Sequence, residues 1–283
     1  MNKHLAPILL LVLALSGCEQ IIPADDLPYV NQLVIHGILT AGRPIVGISI
    51  THTLPLNTEF SSDAADVPDA IATITVDGKT IPLTYQGYSM YNANTSDTVI
   101  AGKTYSIDVR WQGLHASATT TVPLPANVYG LGFSKVGWDT TLDKRASYPD
   151  TMIQYGATLR VNIIPRNGEA YQLNVDSIVA DTGDLWSYSF YGQYYPYTVK
   201  DTVNGLIQFT DPIYFDYVDR MPWFYFEVSA IDEAYAKLLK SYSSGREHGP
   251  FSSFGKNPEY NVTGDGVGMF IGLSTQHYKL RPN

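Results

Sequence analysis

The thiol of Cys18 is the group in this sequence whose chemistry is most readily assigned. Cys18 is the only cysteine among 283 residues, so it cannot form a disulfide within the chain. The segment Leu15-Ser16-Gly17-Cys18 fits the pattern at which bacteria cleave a secretory signal and alkylate the cysteine sulfur with diacylglycerol. Several acyl chains, each worth about 0.8 kcal/mol per buried methylene, hold a protein firmly to a bilayer. We therefore predict lipidation at Cys18.

The residues around Cys18 support this interpretation. Lys3 is followed by an apolar run from Leu5 to Leu15, which is typical of a secretory signal and shorter than the roughly 20 apolar residues that cross a bilayer. The alternative is an ordinary signal with a chance cysteine, but a stray thiol is a liability in an oxidising compartment. Glu19 stands where the inner-membrane retention signal of enteric bacteria has Asp, which favours the outer membrane.

The other reactive side chains form no catalytic or metal-binding motif. The histidines after the signal show neither H-x-H nor H-x-x-x-H spacing, and no G-x-S-x-G elbow or phosphate loop is present. Paired carboxylates for glycoside hydrolysis would meet only in the folded chain. The acids that lie near aromatic residues are Asp216, Asp219, Asp232 and Glu233. We predict no catalytic residue, no metal and no cofactor.

Aromatic side chains are the remaining candidates for binding. Exposed rings in a Gly- and Pro-containing loop mark sites for sugars, peptides or protein partners, whereas core packing is the alternative. Both interpretations stay open for the first group, which consists of Trp186, Tyr188, Tyr191, Tyr194, Tyr195 and Tyr197. A second group, within residues 214–226, contains Trp223, Phe224 and Tyr225. For this group we predict core and cross-strand packing.

Composition excludes some partners. Removing residues 1–17 takes away Lys3 and no acid, so the formal net charge moves from −9 to −10. Nucleic-acid binding needs a basic footprint, and so does electrostatic docking on anionic lipid. Nucleic acid is therefore excluded as a partner, and membrane attachment is left to the lipid on Cys18. Charged residues make up only 16% of the chain, and its 21 tyrosines suit half-buried strands.

Short strands must position these side chains in the first part of the chain. Ala70–Val76 alternates and is followed by the hairpin signal Asp77-Gly78. Gln112-Gly113 separates another alternating pair of segments. About seven strand candidates within roughly 90 residues predict a small β-sandwich of immunoglobulin or transthyretin type.

Further strands, with longer loops, fill the second part. One helix is predicted from Asp232 to Tyr242, because its apolar residues form a stripe at helical spacing. A final Gly-rich strand is predicted over residues 266–274. The fold class is therefore all-β. The predicted segments are a signal peptide over 1–17, the lipidated cysteine and a tether over 18–30, a β-sandwich over 31–124, and a second β-rich domain with one short helix over 125–283.

Several segments together resemble the domain-of-unknown-function family 4249. They lie at both ends of the mature chain in the family's order, and they are structural motifs, whereas residues 127–230 match only in general β character. The segments are Leu33–Thr40 continuing to Ile50–Thr53, Ala72–Gly78, Gly102–Tyr105, Gly113–Pro123 and Asn261–Ser274.

The resemblance implies an outer-membrane lipoprotein of Bacteroidota, of a kind often encoded beside a TonB-dependent receptor. It supplies no catalytic residues. We expect a non-enzymatic binding or accessory subunit that works with such a β-barrel transporter in nutrient uptake, with its body on either face of the outer membrane. A surface hydrolase acting on glycan or peptide and a structural or adhesive envelope protein are the alternatives.

Overall fold

A computed structural model describes residues 29–93, 96–142, 151–179, 188–190, 197–198, 202–215, 221–244 and 258–282. Within these ranges, strands dominate, and the all-β fold class predicted from the sequence is confirmed. The first part of the chain contains β1 (Leu33–Thr40), β2 (Ile48–His52), α1 (Ser62–Ala65), β3 (Ile71–Val76), β4 (Lys79–Gly87), β5 (Met90–Ala93), β6 (Thr104–Trp111) and β7 (Leu114–Thr121).

The second part has longer strands and one longer helix. The elements are β8 (Asn127–Leu142), β9 (Thr151–Ile164), β10 (Ala170–Val179), β11 (Tyr188–Phe190), β12 (Tyr197–Thr198), β13 (Ile207–Phe215), β14 (Trp223–Ile231), α2 (Glu233–Ser244), β15 (Thr263–Gly264) and β16 (Gly266–Leu280). Twelve strands form one sheet in the order β12-β10-β14-β16-β1-β2-β5-β4-β3-β6-β7-β15. Four others form a second sheet in the order β11-β13-β9-β8.

Both hairpin signals in the first part form the expected turns. Asp77 and Gly78, between β3 and β4, have φ values of 49° and 78°, and Gln112 and Gly113, between β6 and β7, have 46° and 85°. Two consecutive residues with positive φ match the right-handed twist of the flanking strands. The register that follows buries alternate side chains of β6 and leaves the intervening polar ones outside.

The first hydrophobic core is enclosed because the sheet curls until β16 faces β7. Leu33 and Ile35 of β1 are fully buried, as are Ile107 of β6 and Ala116 of β7. Glycines on the inner face of β16 permit the approach. A Cβ on Gly272, for example, would lie 2.8 Å from the Cα atom of Val122, just beyond β7. Close backbone contact thus replaces side-chain packing at this seam.

The second core lies between the four-stranded sheet and the β10–β14–β16 part of the large sheet. Leu159 and Val161 of β9 point inward, as do Phe209 of β13 and Phe224 and Phe226 of β14. Two sheets packed face to face in this way make a β-sandwich. The predicted boundary at 124–125 falls between β7 and β8, and the division into domains stays a prediction.

Strand β16 connects the two cores. Its first half pairs in parallel with β1, and its second half pairs antiparallel with β14. The strand is longer than the sequence indicated, since it continues from Ser274 to Leu280. Helix α2 packs on the outer face of this region through Tyr235, Ala236 and Leu239. The predicted helix is confirmed within one or two residues at each end, and the four-residue α1 was not predicted.

Candidate functional site

The lipidation site and most of the aromatic residues proposed from the sequence fall where the structure gives no description. Cys18, Trp186, Tyr191, Tyr194 and Tyr195 lie outside the described residues. The backbones of Tyr188 and Tyr197 belong to β11 and β12, but their side chains lie outside the description. Binding by this group therefore stays a prediction.

The structure instead presents an open cleft where the first core, the second core and α2 meet. Its volume is about 620 Å³, within the range of about 300–1,000 Å³ that is usual for small-molecule sites. Three segments far apart in sequence supply most of the lining: the end of β7, the β9–β10 turn and the start of α2. Its lining includes Thr119, Thr120, Asn167, Glu169, Asp232, Glu233, Lys237, Glu259, Tyr260 and Asn261.

Asp232 forms the floor of the cleft. Its Oδ1 accepts a hydrogen bond of 2.7 Å from the backbone N–H of Tyr235, which makes it the N-cap of α2. Its Oδ2 accepts from the Thr120 hydroxyl and, at 3.1 Å, from the backbone N–H of Gly272. The carboxylate therefore joins β7, β16 and α2 at one point, with 7% of the residue exposed.

Burial raises the pKa of Asp232, although the hydrogen bonds from Thr120, Tyr235 and Gly272 favour the ionised form and oppose that rise. Between pH 3.8, the ordinary pKa of an aspartate, and the raised pKa of Asp232, the folded protein consequently binds more protons at this site than the unfolded chain. In that interval the unfolding free energy should increase as the pH falls.

This gives a testable pH dependence. The raised pKa of Asp232 should give the wild type a gain in unfolding free energy on mild acidification, and we expect the Asp232→Asn variant to lack it. Urea denaturation from about pH 7 down to about pH 4 would measure both curves. Parallel curves for the two proteins in this interval would contradict the assignment.

Asp66 provides an internal comparison. Burial tends to raise its pKa, but hydrogen bonds from the Tyr85 and Ser89 hydroxyls outweigh that effect and lower it. The contribution of Asp66 to the unfolding free energy should therefore be lost below about pH 4, in the wild type and in the Asp232→Asn variant alike.

Two rim carboxylates are already engaged. The guanidinium of Arg166 donates to both oxygens of Glu169, at 3.1 and 3.0 Å, and the Tyr171 hydroxyl donates to Glu169 at 2.7 Å. Burial, followed by the bond to Glu169, raises the pKa of Tyr171 to about 12, so the phenol stays a donor. Glu233 pairs with Lys237 at 2.9 Å. Carboxylates held in such pairs suit ligand positioning better than proton transfer, because general acid–base catalysis needs a group that can exchange a proton with the substrate.

No metal-binding group of three or more His, Cys, Asp or Glu side chains occurs in the part of the chain that the structure describes. In the same part, none of the helices has the length and apolar character required to cross a membrane.

Comparison with known families identifies the chain. The family described as a domain of unknown function, DUF4249, matches residues 21–247. The chain belongs to this family. No curated protein matches the sequence of this DUF4249 member.

The DUF4249 description assigns no residue roles, so only the geometry of the cleft supports its choice as the candidate site. The sequence indicated Asp232 as an acid near aromatic residues and as the first residue of the predicted helix. Its position directly before an amphipathic stripe was a usable N-cap signal. Nothing in the sequence indicated that Asn167 and Glu259 would meet it, since they come from separate loops.

Proposed function

We propose that this DUF4249 protein is anchored to the outer membrane through a lipid on Cys18 and acts as a non-enzymatic binding or accessory subunit. Its partner would be a TonB-dependent transporter engaged in nutrient uptake. The observation that carries the binding role is the cleft of about 620 Å³, lined by hydroxyl, amide, ammonium and carboxylate groups. Such groups fix a polar ligand by hydrogen bonds.

The anchor follows from the lone cysteine and its lipidation pattern. Cys18 precedes the start of β1 at Leu33 by a segment that spans at most about 50 Å when fully extended. This length allows the body to reach a neighbouring β-barrel in the same membrane. The transporter is proposed from the family resemblance, which implies a gene neighbour of that class.

A surface hydrolase is the second candidate, because four acids, Glu169, Asp232, Glu233 and Glu259, line one cleft. Of these, Asp232 has a raised pKa, as a general acid requires. Its two oxygens, however, already accept three hydrogen bonds. Binding is therefore favoured over hydrolysis.

Native envelopes test the proposal. A C-terminally tagged wild-type protein should require detergent for extraction, carry diacylglycerol on Cys18 by mass spectrometry, and co-purify with a β-barrel protein. Replacing residues 1–18 with a cleavable secretory signal that lacks the cysteine should remove the lipid and release the protein into the soluble fraction. An unmodified sulfur on wild-type protein that is extracted without detergent would refute the anchor. Repeated purification without a barrel would refute the partner.

A further inference from the structure

One end of the outer face of β14 and β16 carries rings and cations together. The ammonium of Lys279 lies 4.5 Å from the ring centre of Trp223 and 5.1 Å from that of Tyr225. The guanidinium of Arg281 lies 5.2 Å from the Trp223 ring. We call these four residues the cationic aromatic face. We predicted core and cross-strand packing for the group that contains Trp223 and Tyr225. Both rings are half-buried against the cations of β16, and their neighbours Phe224 and Phe226 lie in the core.

The cationic aromatic face has a rigid backing. Phe224 and Phe226, which alternate with the two half-buried rings on β14, are 0% and 1% exposed in the second core. The side chain of Arg281 is fixed by a hydrogen bond of 2.6 Å to the carbonyl oxygen of Met221. A partner would therefore meet rings that lose little conformational freedom on binding.

The charge of this face contrasts with that of the rest of the molecule. The mature chain has a net charge of −10 after removal of Lys3. Carboxylates pair with the basic residues Lys79, Lys103, Arg110, Arg166 and Lys237. Among the residues placed by the structure, Lys279 has no such carboxylate, and its ammonium rests on aromatic rings.

The next pair along the same face, Glu227 and His277, lies 3.2 Å apart. The surface thus changes from a histidine–carboxylate contact to a cation that lies on aromatic rings. This change marks the edge of the cationic aromatic face toward α2.

The position of the face argues against a bilayer as its occupant. Leu33, where β1 begins after the tether, pairs with Gly266 at the start of β16. Lys279 lies near the other end of this strand, at most about 43 Å away at about 3.3 Å per residue. When the tether end of the body lies against the membrane that carries the lipid, this face is at the far end of β16.

We propose that the cationic aromatic face docks an acidic segment of a partner protein. Trp, Tyr and Arg are the residue types most enriched at energetic hot spots of protein interfaces. A carboxylate of the segment would accept from Lys279, and the carbon chains of the segment would cover the two rings. This inference rests on the proposed accessory role and adds to it the docking surface and the chemistry of the partner.

Zero-length cross-linking with a water-soluble carbodiimide tests the contact directly, because it joins an amine only to a carboxylate that touches it. Treatment of native envelopes containing the full-length protein should give a Lys279 peptide joined by an amide bond to an Asp or Glu peptide of another protein. Trp223→Ala should reduce this product about tenfold or more, as expected of a hot-spot ring. Tyr129→Ala removes a ring that is 72% exposed on β8 and should leave it unchanged.

A charge series completes the test without cross-linking. Lys279→Arg keeps the cation and should retain the partner on affinity purification, whereas Lys279→Glu should reduce its recovery about tenfold or more. Thermal unfolding would verify that each variant folds. Absence of an intermolecular product at Lys279, or equal partner recovery from Lys279→Glu and wild type, would overturn the docking proposal.

The docking proposal and the proposed function fail in distinguishable ways. A barrel that co-purifies equally with all variants would leave the accessory role intact and remove this face from it. A Lys279 cross-link to an acidic protein other than a barrel would support the face and refute the transporter as partner. Flotation of the protein without residues 1–18 with phosphatidylglycerol vesicles, abolished by Lys279→Glu, would overturn the docking proposal in favour of a lipid surface.

Discussion

Replacing Gly268 with alanine is expected to prevent the protein from folding stably. The backbone of Gly268 has a φ of +118°, a conformation that residues with a side chain rarely adopt. A Cβ atom there would overlap the carbonyl oxygen of Ile35, a fully buried residue of β1. Strain and overlap together should cost at least about 4 kcal/mol, a large part of the roughly 5–15 kcal/mol that stabilises a typical domain. Urea denaturation and the yield of soluble protein would measure the loss.

Gly78→Ala is the matched control. Gly78 also has a positive φ, of +78°, but no atom lies within 4 Å of the position of its Cβ. Its substitution should cost about 1 kcal/mol through backbone strain alone. Equal losses for the two variants would show that the contact between β16 and β1 is not what makes Gly268 necessary.

The Asp232→Ala variant is expected to lose about 3 kcal/mol of unfolding free energy at neutral pH. Removal of the N-cap alone costs about 1 kcal/mol. The Gly272 N–H and the Thr120 hydroxyl would also lose their acceptor in a buried site, at about 1–3 kcal/mol for each group left unsatisfied. Relief of the burial cost of the charge offsets part of this loss, since burial raises the pKa of Asp232. Chemical denaturation at neutral pH would measure the difference.

The neighbouring acid supplies the control. The side chain of Glu233 is 67% exposed in its pair with Lys237, so Glu233→Ala should change the unfolding free energy by no more than about 0.5 kcal/mol. A similarly small effect for Asp232→Ala would mean that water replaces the lost acceptor. The cleft floor would then not be the link between β7, β16 and α2 that its hydrogen bonds indicate.

Local sequence signals predicted the local parts of this fold. Asp77-Gly78 specified a two-residue turn, and alternation in β6 specified which side chains are buried, because both depend on neighbours along the chain. The stripe at Tyr235 and Leu239 likewise located α2. These features required no knowledge of distant partners.

Features that depend on contacts between distant segments could not be predicted from local sequence patterns. The second half of β16 pairs with β14 and presents Gln276 toward the core side of the sheet, so it lacks a continuous apolar pattern. The cleft could not be predicted from the sequence, because Asn167, Asp232 and Glu259 come together only after both cores form. Trp223 and Phe224 are adjacent and equally aromatic, yet only the position of the second sheet determines which one is buried.

The shared strand has a consequence for the order in which the polypeptide can mature. During synthesis the amino-terminal residues emerge first, but β1 has no parallel neighbour until Gly266 has been made, more than 200 residues after Leu33. Until then one side of β1 offers unpaired amides, a template for unwanted association. Such non-local pairing slows folding. Chaperones should therefore hold this protein for longer than a sandwich whose strands pair in sequential order.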